Sequence, residues 1–248
     1  MSTEQQLQAR IKELEEELAR HVREAAAKER QLERYAADLR ETFKQERARA
    51  QELRESYRLT VRALAGAVEA RDAYTGRHAE RVAAYGLQLA DAYGMRLGDD
   101  PEIEFGFLLH DAGKVAVPDA ILFKPGPLTP AERLTMEQHP VTGAEIVRDI
   151  AFLGAARDVI RHHHERWDGT GYPDRLAGED IPVFARIFAV ADTLDALTTN
   201  RPYRRASTIA QARVIILQSV GTHFDPNVVE AFKALSDAQI ERTRLRIG

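Results

Sequence analysis

The sequence predicts an all-α chain, with a long N-terminal coiled-coil helix followed by a helical globular domain. Three observations carry this expectation. Residues 1–65 contain no glycine, and no proline precedes Pro101, so nothing there turns or stops a helix. A heptad seam runs through Leu7, Ile11, Leu14, Leu18, His21, Ala25, Lys28, Leu32, Tyr35 and Leu39, with spacings that alternate four and three. Further on, alternating strand patterns are scarce.

The first 56 residues carry 12 Lys/Arg against 13 Asp/Glu, finely interspersed. The seam is apolar at both ends and weak in the middle, at His21 and Lys28. A lone helix with one apolar stripe is marginal in water. A homodimeric coiled coil is therefore expected over 1–56, with the globular domain at 57–248. The helix is expected to continue through Leu59, Val61, Leu64, Ala65 and Val68. Further helices are expected at 57–72, 77–94, 101–111, 130–149, 153–165, 182–198, 207–220 and 226–236. The loops between them are marked by Lys124-Pro125-Gly126-Pro127, Asp168–Asp174 and Asn200-Arg201-Pro202.

Composition narrows the function. The formal net charge is −4 and the pI is near 6.1, which gives no general electrostatic case for duplex nucleic acid or an anionic membrane. A small anionic substrate remains compatible, because a local metal cluster binds phosphate whatever the net charge. There are no cysteines, so any metal must sit on nitrogen and oxygen ligands. No stretch approaches the roughly 18 apolar residues of a membrane span. The N-terminus also lacks the apolar core of a signal peptide. A cytoplasmic location is expected.

Six of the eight histidines lie between 78 and 164, and their settings carry the chemistry. His78 opens an amphipathic helix. His110 and Asp111 close the apolar run FGFLLHD. His139 stands just before a proline. His162, His163 and His164 precede ERWDGTGYP, and Asp192 lies in FAVADTLDALT. A single such histidine reads as a surface or hydrogen-bonded core residue. Several beside apolar runs are different, because burying imidazoles and carboxylates is costly unless they are paired or bind metal.

The motifs HDAGK, HHHERWDGTGYP and ADTLDALTTNRPYR, in that order, resemble the HD-GYP family, a branch of the HD superfamily of metal-dependent phosphohydrolases. The likeness runs from about Tyr74 to Phe232. It implies a helical HD-type fold and a site for divalent ions, iron or manganese, with a cyclic dinucleotide as substrate. By position it implies His78, His110, Asp111 and Asp192 on one metal. Asp111 bridges to a second, held by His139, His163 and His164. His162 has no counterpart as a ligand. Three-metal members place a glutamate four residues before the first histidine. Tyr74 stands there in this chain, so two metals are expected, with Asp72 at most an outer partner.

Two cations roughly 3.5–4 Å apart activate a bridging water and neutralise phosphodiester oxygens. A carboxylate has two oxygens with which to bridge, which suits Asp111. Lys114 is expected on the face of His110 and Asp111 if the helix continues through them, where it could aid the leaving group. Its bland reading is a solvated lysine at a helix end beside Gly113. The glycines of DGTGYP permit tight turns, and Tyr172 offers a ring for a base. Arg201 and Arg204 suit phosphate or guanine. Trp167 is expected to anchor the loop, His223 to be structural, and Asp195 to be an outer partner or an N-cap.

The expected activity is hydrolysis of cyclic di-GMP to pGpG, and onward to GMP, by a metal-bridging hydroxide. Cyclic GMP-AMP is the alternative substrate. A weakly active nucleotide sensor is disfavoured by retention of every expected ligand. A diiron oxygenase is disfavoured by Lys114, Arg201 and Arg204. Any regulatory input is expected through the coiled coil, from an upstream sensory partner.

Overall fold

The computed structural model describes residues 2–71, 77–95, 101–200 and 205–247. The chain divides into two compact units, Met1–Ser56 and Tyr57–Gly248. The described part of the first unit is helical nearly throughout and belongs to α1 (Thr3–Glu69). Its seam residues face solvent, with Leu18 65% and Leu39 71% exposed, so the stripe covers nothing within its own unit. Ion pairs such as Arg10–Glu13 and Arg49–Glu46, each three residues apart, decorate the surface. Pairs this exposed contribute only tenths of a kcal/mol.

Among the described residues, the second unit takes the last turns of α1 and ten further α-helices: α2 (His78–Ala92), α3 (Glu102–Leu108), α4 (Asp119–Leu122), α5 (Pro130–Met136), α6 (His139–Ile146), α7 (Gly154–His162), α8 (Val183–Thr198), α9 (Ile209–Gln218), α10 (Pro226–Ala234) and α11 (Asp237–Ile247). Among the described residues there is no strand, only an isolated bridge between Val220 and Phe224. The most apolar of the expected helices, α8, lies at the centre and packs on α2, α7, α9 and α10. The core forms around Phe105, Phe107, Phe188, Phe224 and Phe232, all essentially inaccessible. Phe107 and Phe188 meet at 5.8 Å between ring centres, joining α3 to α8. At the margin, buried Glu104 accepts from Arg58 at 2.7 Å and Arg62 at 2.9 Å, which ties α3 to α1.

Three differences from the sequence reading have physical causes. The helix expected over 130–149 is two helices, α5 and α6, broken at Glu137–Gln138. Pro140 has no N–H for the Met136 carbonyl, four residues back, and its ring crowds that carbonyl. His139 Nδ1–H donates to it instead, at 2.8 Å. The helix expected over 101–111 ends at Leu108, and a 3₁₀ turn, Ala112–Ala116, follows Asp111. Lys114 therefore does not lie on a continuous α-helix with His110 and Asp111. A 3₁₀ turn eclipses side chains three apart, and that stacks Lys114 on Asp111. Finally, α11 lies outside the expected helices, because its charged sequence gives little apolar signal beyond buried Ile240.

Gly113 has a packing reason rather than a capping one. A Cβ there would overlap the His139 carbonyl oxygen and come within 2.6 Å of the Gly143 nitrogen. The 3₁₀ turn and α6 thus touch backbone to backbone, and this brings the HD pair to His139. Gly113→Ala should cost about 2–3 kcal/mol, which for a domain of this size lowers Tm by roughly 5–10 °C. Differential scanning calorimetry checks this; an unchanged Tm would mean that the two segments are free to separate.

Candidate metal centre

Three imidazoles are oriented by the same local device. His110 donates from Nδ1 to the Phe107 carbonyl, His139 to Met136 and His163 to Ile160, each at 2.8 Å and each to the residue three positions back. A carbonyl can only accept, so the proton sits on Nδ1 and a neutral ring presents a bare Nε2 lone pair. All three residues stand where a helix has just ended or is about to begin, where carbonyls lack intrahelical partners. Phe188 forms the floor, 4.7 Å from the His110 ring and 5.5 Å from that of His163.

The bare nitrogens converge. His139 Nε2 and His163 Nε2 are 3.2 Å apart, an arrangement of two lone pairs that no hydrogen bond explains. His139, His163 and His164 each offer a ligand atom within 4.8 Å of the others. Asp111 sits between two rings, Oδ2 at 3.1 Å from His110 Nε2 and Oδ1 at 3.3 Å from His139 Nε2. Lys114 Nζ is 2.9 Å from Asp111 Oδ2. At the other end, His78 Nε2 lies 3.4 Å from Asp192 Oδ1, and its ring packs edge-on to His110 at 5.4 Å. The seven residues His78, His110, Asp111, His139, His163, His164 and Asp192 thus form one contiguous group of nitrogen and oxygen donors. Donors of this kind, with their lone pairs facing one another, fit divalent cations.

The electrostatics point the same way. Burial pushes His163 well below the ordinary histidine range, with His164, His110 and His139 adding to it. Burial and His139 take His164 down to about 3. Both rings are therefore neutral donors at any physiological pH. Burial would raise Asp111, but His110 and Lys114 dominate and hold it well below its usual value. His78 goes the other way. Burial lowers it, yet the Asp195 hydrogen bond and the Asp192 carboxylate outweigh that and leave it raised.

Asp195 is not an N-cap, since it lies inside α8. It accepts from His78 Nδ1 at 2.8 Å and from Arg81 Nε at 2.6 Å, all three groups being buried or nearly so. A carboxylate behind an imidazole in this way fixes its tautomer and raises its basicity. Tyr172 lies over His164, ring centres 4.7 Å apart. A Cβ at Gly171 would overlap Glu165, Arg166 and the His164 carbonyl, so glycine lets the loop lie directly on the histidine turn. Two residues that the sequence reading passed over hold this loop. Buried Glu165 accepts from the Asp174 N–H at 2.7 Å, and Arg161 clamps the Asp174 carboxylate at 2.7 and 2.9 Å. His162 joins them at 3.0 Å from Asp174, away from the donor group. Trp167 binds the His223 carbonyl through its backbone and packs 5.9 Å from Arg186. Arg201 and Arg204, like Asp72 and Tyr74, lie outside the described residues.

Residues 62–228 match the HD domain family. The chain belongs to the HD domain family. Its motif set places it in the HD-GYP branch. Among similar proteins, the 3'3'-cGAMP-specific phosphodiesterase 2 of Vibrio cholerae serotype O1 is 44% identical over 181 residues, 72% of this chain and 35% of the relative. A cyclic di-GMP phosphodiesterase of Thermotoga maritima is 43% identical over 171 residues, 67% of this chain and 46% of the relative. The chain thus spans about a third to a half of the length of these relatives. A crystal structure of a cyclic GMP-AMP phosphodiesterase of V. cholerae shares the fold, with a TM-score of 0.51 at 21% identity over 74% of this chain and 53% of that one. No helix among the described residues is long and apolar enough to cross a membrane.

A raised His78 would set a pH dependence for any cation that it holds. A protonated His78 offers no lone pair, so cation affinity should rise as pH climbs through and above the ordinary histidine range. Asp195→Asn removes the main raising influence and should move that rise to lower pH. Calorimetric Mn²⁺ titrations at several pH values check this; a profile unmoved by the substitution would take His78 out of the ligand set.

Proposed function

We propose that this chain is a metal-dependent phosphodiesterase that hydrolyses cyclic di-GMP to pGpG, and onward to GMP. The observation that carries the reading is the contiguous donor group inside an HD domain, with Asp111 set between the two histidine sets. In this reading His78, His110, Asp111 and Asp192 would hold one divalent ion, and His139, His163 and His164, together with Asp111, a second. Iron and manganese suit the set. When bound, such ions supply Lewis acidity to the phosphodiester oxygens and lower the pKa of a coordinated water.

The chain's own residues do the rest. Asp111 and Asp192 would bring the negative charge that retains the ions, and the histidines would orient them. Lys114, three residues from Asp111, presents an ammonium at the rim, placed to neutralise charge on a non-bridging oxygen or on the departing ribose oxygen. Tyr172 offers a ring beside His164 on which a base can stack, and its hydroxyl stays protonated because burial raises it. Arg201 and Arg204, in the RPYR stretch, are assigned to substrate phosphate or guanine by their chemistry.

Cyclic GMP-AMP is the second reading, favoured by the relative from V. cholerae that is named for it and is 44% identical. The solvent-facing heptad stripe supports a homodimer through residues 1–56, through which a sensory partner would act.

Protein loaded without oxygen with Fe²⁺ or Mn²⁺ should release pGpG or GMP from cyclic di-GMP, resolved by chromatography. His110→Ala/Asp111→Ala should abolish this. Lys114→Ala should lower kcat by about 10²-fold with metal content unchanged. No product from either dinucleotide at full metal occupancy would sink the reading. A chain starting at Ser56 should sediment as a monomer; a dimer would remove the coil's assigned role.

A further inference from the structure

The end of α1 carries two charged side chains that lie outside the donor group and yet grip the segments presenting it. Glu69, the last residue of α1, accepts from the Ala79 N–H at 2.5 Å. That N–H belongs to the first turn of α2, where a helix leaves four donors without intrahelical partners. The N-cap residue, Arg77, does not serve them. It is in the left-handed conformation, φ 60°, and its side chain makes no capping bond. The cap comes instead from another helix, as a carboxylate set where the α2 dipole favours negative charge. Ala79 directly follows His78. Asp195 therefore holds the ring of His78, and Glu69 holds the backbone beside it.

Arg71, two residues on, grips the opposite wall. It donates from Nη1 to the Val115 carbonyl at 2.8 Å and more weakly to that of Lys114 at 3.4 Å. From Nη2 it reaches Asp119 Oδ1 at 2.6 Å. These acceptors belong to the 3₁₀ turn that carries Lys114 and to the start of α4. A pocket lined by Ala65, Glu69, His78, His110, Asp111 and Lys114 lies between the two grips. Buried Val61 and Ala65 seat this stretch of α1 against the core.

We propose that Glu69 and Arg71 are positioning residues for the metal centre, Glu69 setting His78 and Arg71 setting Lys114. His78 and the lysine are then located from a single helix end. The proposal rests on the assignment of His78 to the metal, and only its Arg71 arm rests on the phosphodiesterase reading.

The test starts from Mn²⁺ titration of the full chain without oxygen, followed by electron paramagnetic resonance and metal analysis after dialysis. Glu69→Ala should weaken Mn²⁺ binding about 10-fold, the lower end of what loss of an outer partner does, and should alter the spectrum of the bound ions. Glu69→Gln should recover most of the affinity, because its amide oxygen can accept the same N–H. Arg71→Ala should retain its Mn²⁺ while kcat falls about 10-fold and KM holds. Glu69→Ala with wild-type Mn²⁺ affinity and spectrum would overturn the proposal. So would a lowered Tm as the only change in both alanine variants. The Mn²⁺ readout needs no substrate, so failure of the phosphodiesterase reading leaves the Glu69 result standing on its own.

Discussion

The structure depends on how buried imidazoles are aimed. Each of His110, His139 and His163 ties its Nδ1 proton to a carbonyl three residues upstream. Those carbonyls exist because helices end or break nearby. Helix termini are usually a cost to be capped, but here their unpaired oxygens orient a ring and leave the far nitrogen bare. A continuous helix through Met136 would have consumed the carbonyl that His139 uses, and Pro140 prevents it.

Packing then converts oriented rings into a cluster. Phe188 supplies a flat apolar floor to two of them, while the glycine contact between Gly113 and α6 brings the HD turn against the His139 backbone. Desolvation by that same apolar surround depresses His163 and His164. Asp195 and Arg81 form the counterweight at the other end, where a buried ion pair sustains a more basic His78. The cluster is therefore asymmetric, with neutral rings at one end and a carboxylate-backed ring at the other.

Much of this was legible in the sequence. Glycine and proline spacing announced the long helix, the apolar runs around Phe107 and Phe188 announced the core, and the ordered motifs marked residues that the fold brings together. What stayed hidden was long-range or local in ways that composition does not show. Glu69 and Arg71 look like ordinary charges at the end of a charged helix, and only folding brings Ala79 and Val115 to them. The split of 130–149 is readable from Pro140, whose effect falls on a carbonyl four residues back. Lys114 reaches Asp111 by the eclipsing of a 3₁₀ turn, where the sequence suggested a regular helix. Charged α11 carries too few apolar residues to announce itself.

The composition of the donor group has a consequence for charge balance. Five of the seven donors are imidazoles, and the carboxylates are Asp111 and Asp192. Divalent ions held there would not be neutralised by their own ligands, and the ammonium of Lys114 adds to the surplus. A loaded cavity is then a concentrated positive well inside a chain of net charge −4. Electroneutrality is left for an anion to complete. Any anion that completed it would settle at a local surplus opposite in sign to the net charge of the whole chain.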